Sequence, residues 1–170
     1  MNILLAKPRT TKPPFTDRDS MIPECIQNLD FKKLKFKLSQ SKEAKLSIEV
    51  CDFAEVEYKK FLTLKFLNPE TALVPNQLVD EFWHAHVLDT KSYHEDCQKV
   101  FGYYLHHYPY FGIFSNEDYS ALENAFSKTK QLYEMWFGAY PDYLTATRCG
   151  DDHSCHAQTS CACRVAGACK

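Results

Sequence analysis

Apolar residues recur at helical intervals through most of the chain. Between Ser47 and Leu67 there is neither Gly nor Pro. Within that stretch Val50, Phe53, Ala54, Glu57, Phe61 and Leu64 follow one another at three- and four-residue steps, which predicts a helix that Asn68-Pro69 ends. Pro75-Asn76 opens a second helix reaching about Leu88, and Asp89-Thr90 caps a third that runs to about Phe101-Gly102. Residues 103–114 are aromatic and broken by Pro109 and Gly112, a loop pattern. Ser115-Asn116 caps a further helix over residues 117–137, which Gly138 ends. From Asp30 to Leu38 two periods compete. Phe31, Leu34 and Leu38 are spaced for a helix; Leu34, Phe36 and Leu38 are spaced for a strand. Leu and Lys favour helix and no β-branched residue is present, so helix is preferred. No strand pair and no internal repeat is visible. The expected fold is all-α: a single compact domain of four to five helices over residues 29–148. A Pro-rich extended N-terminal arm precedes it over residues 1–28, and a Cys-rich C-terminal tail follows over residues 149–170.

Composition narrows the functional classes. The chain has 170 residues, enough to bury a core of its own, and 45% hydrophobic with 25% charged residues marks a globular protein rather than a disordered one. A net charge of -2 gives no reason to expect nucleic acid or an acidic lipid surface as partner. No apolar run is long enough for a membrane helix. The apolar stretch Ile3 to Ala6 is too short for a secretory core, which points to a cytoplasmic protein. Five of the eight cysteines fall in the last 22 residues. Cys25, Cys51 and Cys97 are scattered through the body, which therefore reads as reduced.

Candidate chemistry concentrates in the middle. Five of the seven histidines, His84, His86, His94, His106 and His107, lie within 24 residues, next to Asp80, Trp83, Tyr93, Asp96 and Cys97. Imidazole is the commonest transition-metal ligand, so such a cluster is a metal-site candidate. At roughly 100° per residue, Val79, Phe82, Trp83, His86 and Val87 share the core face of one helix. Asp80 and His84, four apart, sit side by side on its flank. Tyr93, Cys97, Val100, Phe101 and Tyr104 make the inward stripe of the next helix. If that helix continues, His107 falls on the edge of the stripe and His106 points away. His84 and His86 are roughly 200° apart, so one ion takes both only where the helix unwinds. Buried, neutral histidines and a surface Asp80–His84 pair are the alternative reading.

The run Leu73-Val74-Pro75, Val79-Asp80-Glu81-Phe82-Trp83-His84-Ala85-His86, Tyr93, Cys97, Phe101-Gly102, Leu105-His106-His107 and Pro109 resembles the glycine-rich-domain-containing-protein-like family in its short bacterial form. The similarity spans residues 45–140. The resemblance implies a helical domain in which Asp80, Trp83, His84, His86, Tyr93 and His107 occupy motif positions. It strengthens a metal reading and implies no particular reaction. The glycine-rich stretch of that family is missing here; the cysteine-rich tail stands at that end.

In the tail, Cys149, Cys155, Cys161, Cys163 and Cys169, with His153 and His156, supply soft and borderline donors. No Cys-x-x-Cys occurs, so no standard zinc knuckle is present. Thiolate-rich segments suit Zn or Cu(I). A tail without defined chemistry, and a segment that another enzyme modifies behind a leader domain, are the other readings.

Three functions follow. The first is a metal-binding helical domain with His84, His86 and His107 as ligands and Asp80 as fourth ligand or orienting group. Tyr93, Cys97 and His94 would stand behind them, and the ion would be Zn, Fe or Cu. The second is a non-enzymatic protein-interaction module that uses the aromatic loop over residues 103–111. The third is a metal-dependent enzyme, the least favoured, because nucleophile elbow, phosphate loop, dinucleotide fingerprint and His-Glu-x-x-His are all missing. A Cys97 nucleophile beside His94 is disfavoured, since Cys97 lies on the apolar stripe and buried thiols are inert.

Overall fold

The computed structural model describes residues 21–42, 44 and 46–141. The segments 1–20 and 142–170, which include the tail thiols, lie outside the described residues. Six helices and no strand are present among the described residues: α1 (Glu24–Gln27), α2 (Lys32–Gln40), α3 (Ile48–Leu67), α4 (Gln77–Leu88), α5 (Thr90–Val100) and α6 (Asn116–Phe137). The all-α class is as the periodicity predicts. None of these helices is long and apolar enough to cross a membrane.

Asp89 and Ser115 cap their helices as expected, and Ser47 and Asn76 do the same for α3 and α4. The side chains of Ser47, Asn76, Asp89 and Ser115 each accept a hydrogen bond from the backbone N–H three residues on, replacing a partner the first turn lacks. At the far end of α3 both the backbone N–H and the side-chain amide of Asn68 donate to the Leu64 carbonyl.

α3 is the centre of the assembly. It packs against α1, α2, α4 and α6. Its buried residues, among them Cys51, Ala54, Tyr58, Phe61, Leu62 and Leu64, therefore occupy more than one face. Glu57 is buried on it and is met by two donors. Lys60 Nζ lies 2.8 Å and the Tyr133 hydroxyl of α6 3.2 Å from Glu57 Oε1. This joins α3 to α6 by a charge-assisted bond inside the core. One turn earlier on the same face of α6, Thr129 Oγ1 accepts from the Val74 N–H at 3.0 Å, which pins the connection into α4.

Two details depart from expectation. Residues 21–28, read as the end of an extended arm, hold α1, and Ile22 and Ile26 are buried against the body. Pro23 starts that turn, because its fixed φ suits a helix start as well as an arm. In α2 the helical period wins. Phe31 and Leu34 are buried, whereas Phe36, which a strand would have turned inward with Leu34, is 58% exposed.

The loop between α5 and α6 is built on two glycines with left-handed φ, Gly102 at 74° and Gly112 at 88°. The Asp118 carboxylate accepts from the Gly112 and Phe114 N–H groups and ties the loop to the first turn of α6. A Cβ at residue 112 would lie 2.6 Å from Leu122 Cδ2. Gly112→Ala is therefore expected to destabilise the protein by about 2 kcal/mol or more, from backbone strain and overlap together. In a Leu122→Ala background the same change should cost less, because the closest overlap, with Cδ2, is gone and only the contact with Cβ at 3.0 Å remains. Denaturant titrations of the four proteins measure both values.

Candidate functional site

Asp80 lies in the first turn of α4, where the helix dipole favours a carboxylate. It is 2% exposed. A desolvated carboxylate needs donors or a cation. Among the described residues two imidazoles take that place, one on each oxygen. His107 Nε2 lies 2.9 Å from Oδ1, and His84 Nδ1 lies 3.4 Å from Oδ2. The four-residue step puts His84 over Asp80 on one helix flank, as expected.

His107 arrives by a different route from the one its helical register suggests. α5 ends at Val100, and Gly102 turns the chain. Residues 104–108 then run without helix across α4, so His107 comes from a loop and not from an inward helical stripe. Its ring sits 4.2 Å from the His84 ring and 4.5 Å from Trp83, the latter edge-on. Asp80, His84 and His107 each offer one ligand atom, and these atoms all lie within 4.8 Å of one another. One ion can be reached by all three. Asp80 forms the floor, and His84, 30% exposed at its side chain, forms the mouth.

His86, expected as a ligand of the same site, is not in this group. It is 4% exposed, on the opposite side of α4 from His84, for the angular reason given above. Phe31, Tyr58 and Tyr93 surround its ring edge-on. Nδ1 pairs with the Tyr58 hydroxyl at 3.1 Å, and Nε2 lies 3.3 Å from Asp96 Oδ2 in poor hydrogen-bond geometry. Burial pushes the imidazole below its ordinary value near 6.5, and the Asp96 carboxylate only partly reverses this.

The residues expected behind the ligands divide. Tyr93 is buried; its hydroxyl accepts from Trp83 Nε1 at 2.9 Å and donates to the Leu105 carbonyl. Cys97 is buried beside it, and burial pushes the thiol up, which leaves it a poor nucleophile. His94 is exposed and stands near Tyr104, outside the Asp80–His84–His107 group. The tail thiols Cys149, Cys155, Cys161, Cys163 and Cys169 lie outside the described residues. The Leu105 carbonyl and the Tyr58–His86 pairing left no signal in the sequence, because both depend on where a loop and a distant helix pack. The aromatic loop keeps an outer face: Tyr103, Tyr108 and Tyr110 are exposed and Phe114 is 72% exposed, while Leu105 is buried.

The His86 environment sets a pH dependence. The unfolded chain takes up a proton near pH 6.5, and the folded protein resists it. Between the lowered folded value and 6.5 the unfolded state binds more protons, so stability falls as pH falls through that window, by up to about 1.4 kcal/mol per pH unit. Unfolding free energies of wild type and His86→Gln between pH 7 and 5 should converge as the pH drops, since Gln carries no such term.

Comparison with known proteins corrects the family suggested by the Asp-x-x-Trp-His-x-His run. That run is short, and its Trp83 and His86 are core residues, so it carries little family information. No curated protein and no solved structure matches the chain. The family model that does match is not the glycine-rich-domain-containing one, and it begins upstream of α1, taking in α2 as well as the site helices. Residues 22–130 match the model described as UCP032817-like, and the chain belongs to that family.

Proposed function

We propose that this protein is a metal-binding helical domain in which Asp80, His84 and His107 hold one divalent transition-metal ion. The observation that carries the reading is the convergence of two imidazole nitrogens on the two oxygens of one buried carboxylate. These donors come from positions up to 27 residues apart, and the fold brings them together. Two nitrogens and one oxygen are borderline donors that suit Zn or Fe(II) better than Mg or Ca. Three protein ligands leave room for water on the side of His84. The tail thiols supply a second, softer donor set suited to Zn or Cu(I).

A second reading, a protein-interaction module, draws support from the outer face of the aromatic loop, where Tyr103, Tyr108, Tyr110 and Phe114 are exposed. Aromatic side chains with a polar tip are enriched at such contacts. The two readings are compatible, because the ligand His107 and these side chains share one loop.

Metal analysis of the reduced, full-length protein purified without a histidine tag separates site from tail. His107→Ala should lose about one equivalent of metal relative to wild type, and the remainder belongs to the tail. Chelator should lower the melting temperature of wild type and leave His107→Ala unchanged. Equal metal content and equal chelator response in the two proteins would sink the proposal.

A further inference from the structure

We infer that Tyr93 is the positioning residue of the Asp80–His84–His107 group, and that its hydroxyl sets how tightly the group holds metal. This deepens the metal reading and rests on it. The two histidines reach the carboxylate in different ways. His84 shares a helix with Asp80, so its position is set by α4 itself. His107 belongs to a loop that leaves the helical frame at Gly102. Something has to hold that loop against α4, and the Tyr93 hydroxyl is placed to do so. It donates to the carbonyl of Leu105, two residues before His107, and accepts from the indole N–H of Trp83 on α4 at 2.9 Å. One hydroxyl therefore links the ligand loop, α5 and α4. Trp83 completes the arrangement, because the ring whose N–H is held by Tyr93 lies 4.5 Å from the His107 ring. All three bonded groups are in the core, where Tyr93, Trp83 and Leu105 are buried. Water does not compete for these bonds there, and the hydroxyl oxygen is used as both donor and acceptor. Neutral Tyr suits the role, since burial pushes its phenol far above the physiological range. Removing groups that orient metal ligands lowers metal affinity by about 10- to 100-fold in general.

Co(II) is the probe, added to the reduced full-length chain. The part of its visible absorption that His107→Ala abolishes reports this site, free of the tail thiols. Tyr93→Phe should weaken that component about 10- to 100-fold in affinity and change its band shape. Trp83→Phe, which keeps the Tyr93–Leu105 bond, should shift it in the same direction by less. Leu132→Ala, a core truncation in α6, should lower the melting temperature and leave affinity and spectrum as in wild type, which separates positioning from general destabilisation. If Tyr93→Phe proves unstable, Trp83→Phe decides the matter alone. Wild-type affinity and spectrum in whichever of the two variants folds overturns the inference. Absence of any His107-dependent signal in wild type overturns the metal reading itself, a distinct result.

Discussion

A carboxylate enclosed by protein has to be met by hydrogen-bond donors or a cation, because desolvating an unpaired charge costs several kcal/mol. Asp80 is such a group, and the arrangement of the middle of this protein answers to it. One oxygen is met from within α4 by His84, at no topological cost. The other is met by His107, which requires the chain to leave α5 at Gly102, turn, and recross α4. The buried Leu105 anchors that return, and the hydroxyl of Tyr93 holds its carbonyl. Packing, backbone conformation and side-chain chemistry thus converge on a single acidic residue.

α4 also shows how a two-residue step on a helix separates chemistries. His84 and His86 have the same side chain, yet the rotation between them sends one to the mouth of the Asp80–His84–His107 group and the other into an aromatic cage. Phe31, Tyr58 and Tyr93 surround the His86 ring, with the Asp96 carboxylate at one edge. It ties α3 to α4 through the Tyr58 hydroxyl. It is packed as a core residue, and its depressed basicity follows from burial.

Around this pair the other elements act as scaffold. α3 touches most of the other helices, and its one deeply buried acid, Glu57, is neutralised locally by Lys60 and bonded by Tyr133 of α6. α1 and Ile22 just before it are packed on the core and fall within the family match. The exposed aromatic side chains of the loop lie on the same segment as His107, so that surface is close to the Asp80–His84–His107 group.

Much of the frame was legible from residue types alone. The five longer helices, the caps at Asp89 and Ser115, the helix start at Asn76 and the Asp80–His84 pair all rest on interactions between residues a few positions apart. Period, capping residue and the four-residue step report such interactions directly. α1 escaped because four residues behind a proline carry too little periodicity to be distinguished from an arm. The family could not be read from the Trp83 and His86 motif, whose positions are ordinary core positions. The choice of His107 over His86 as Asp80's second partner was beyond local reasoning as well. It depends on a left-handed turn at Gly102, a hydroxyl on α5 and an indole on α4 acting together. Contacts of that kind join residues whose separation in sequence carries no period, so only the folded chain brings them into being.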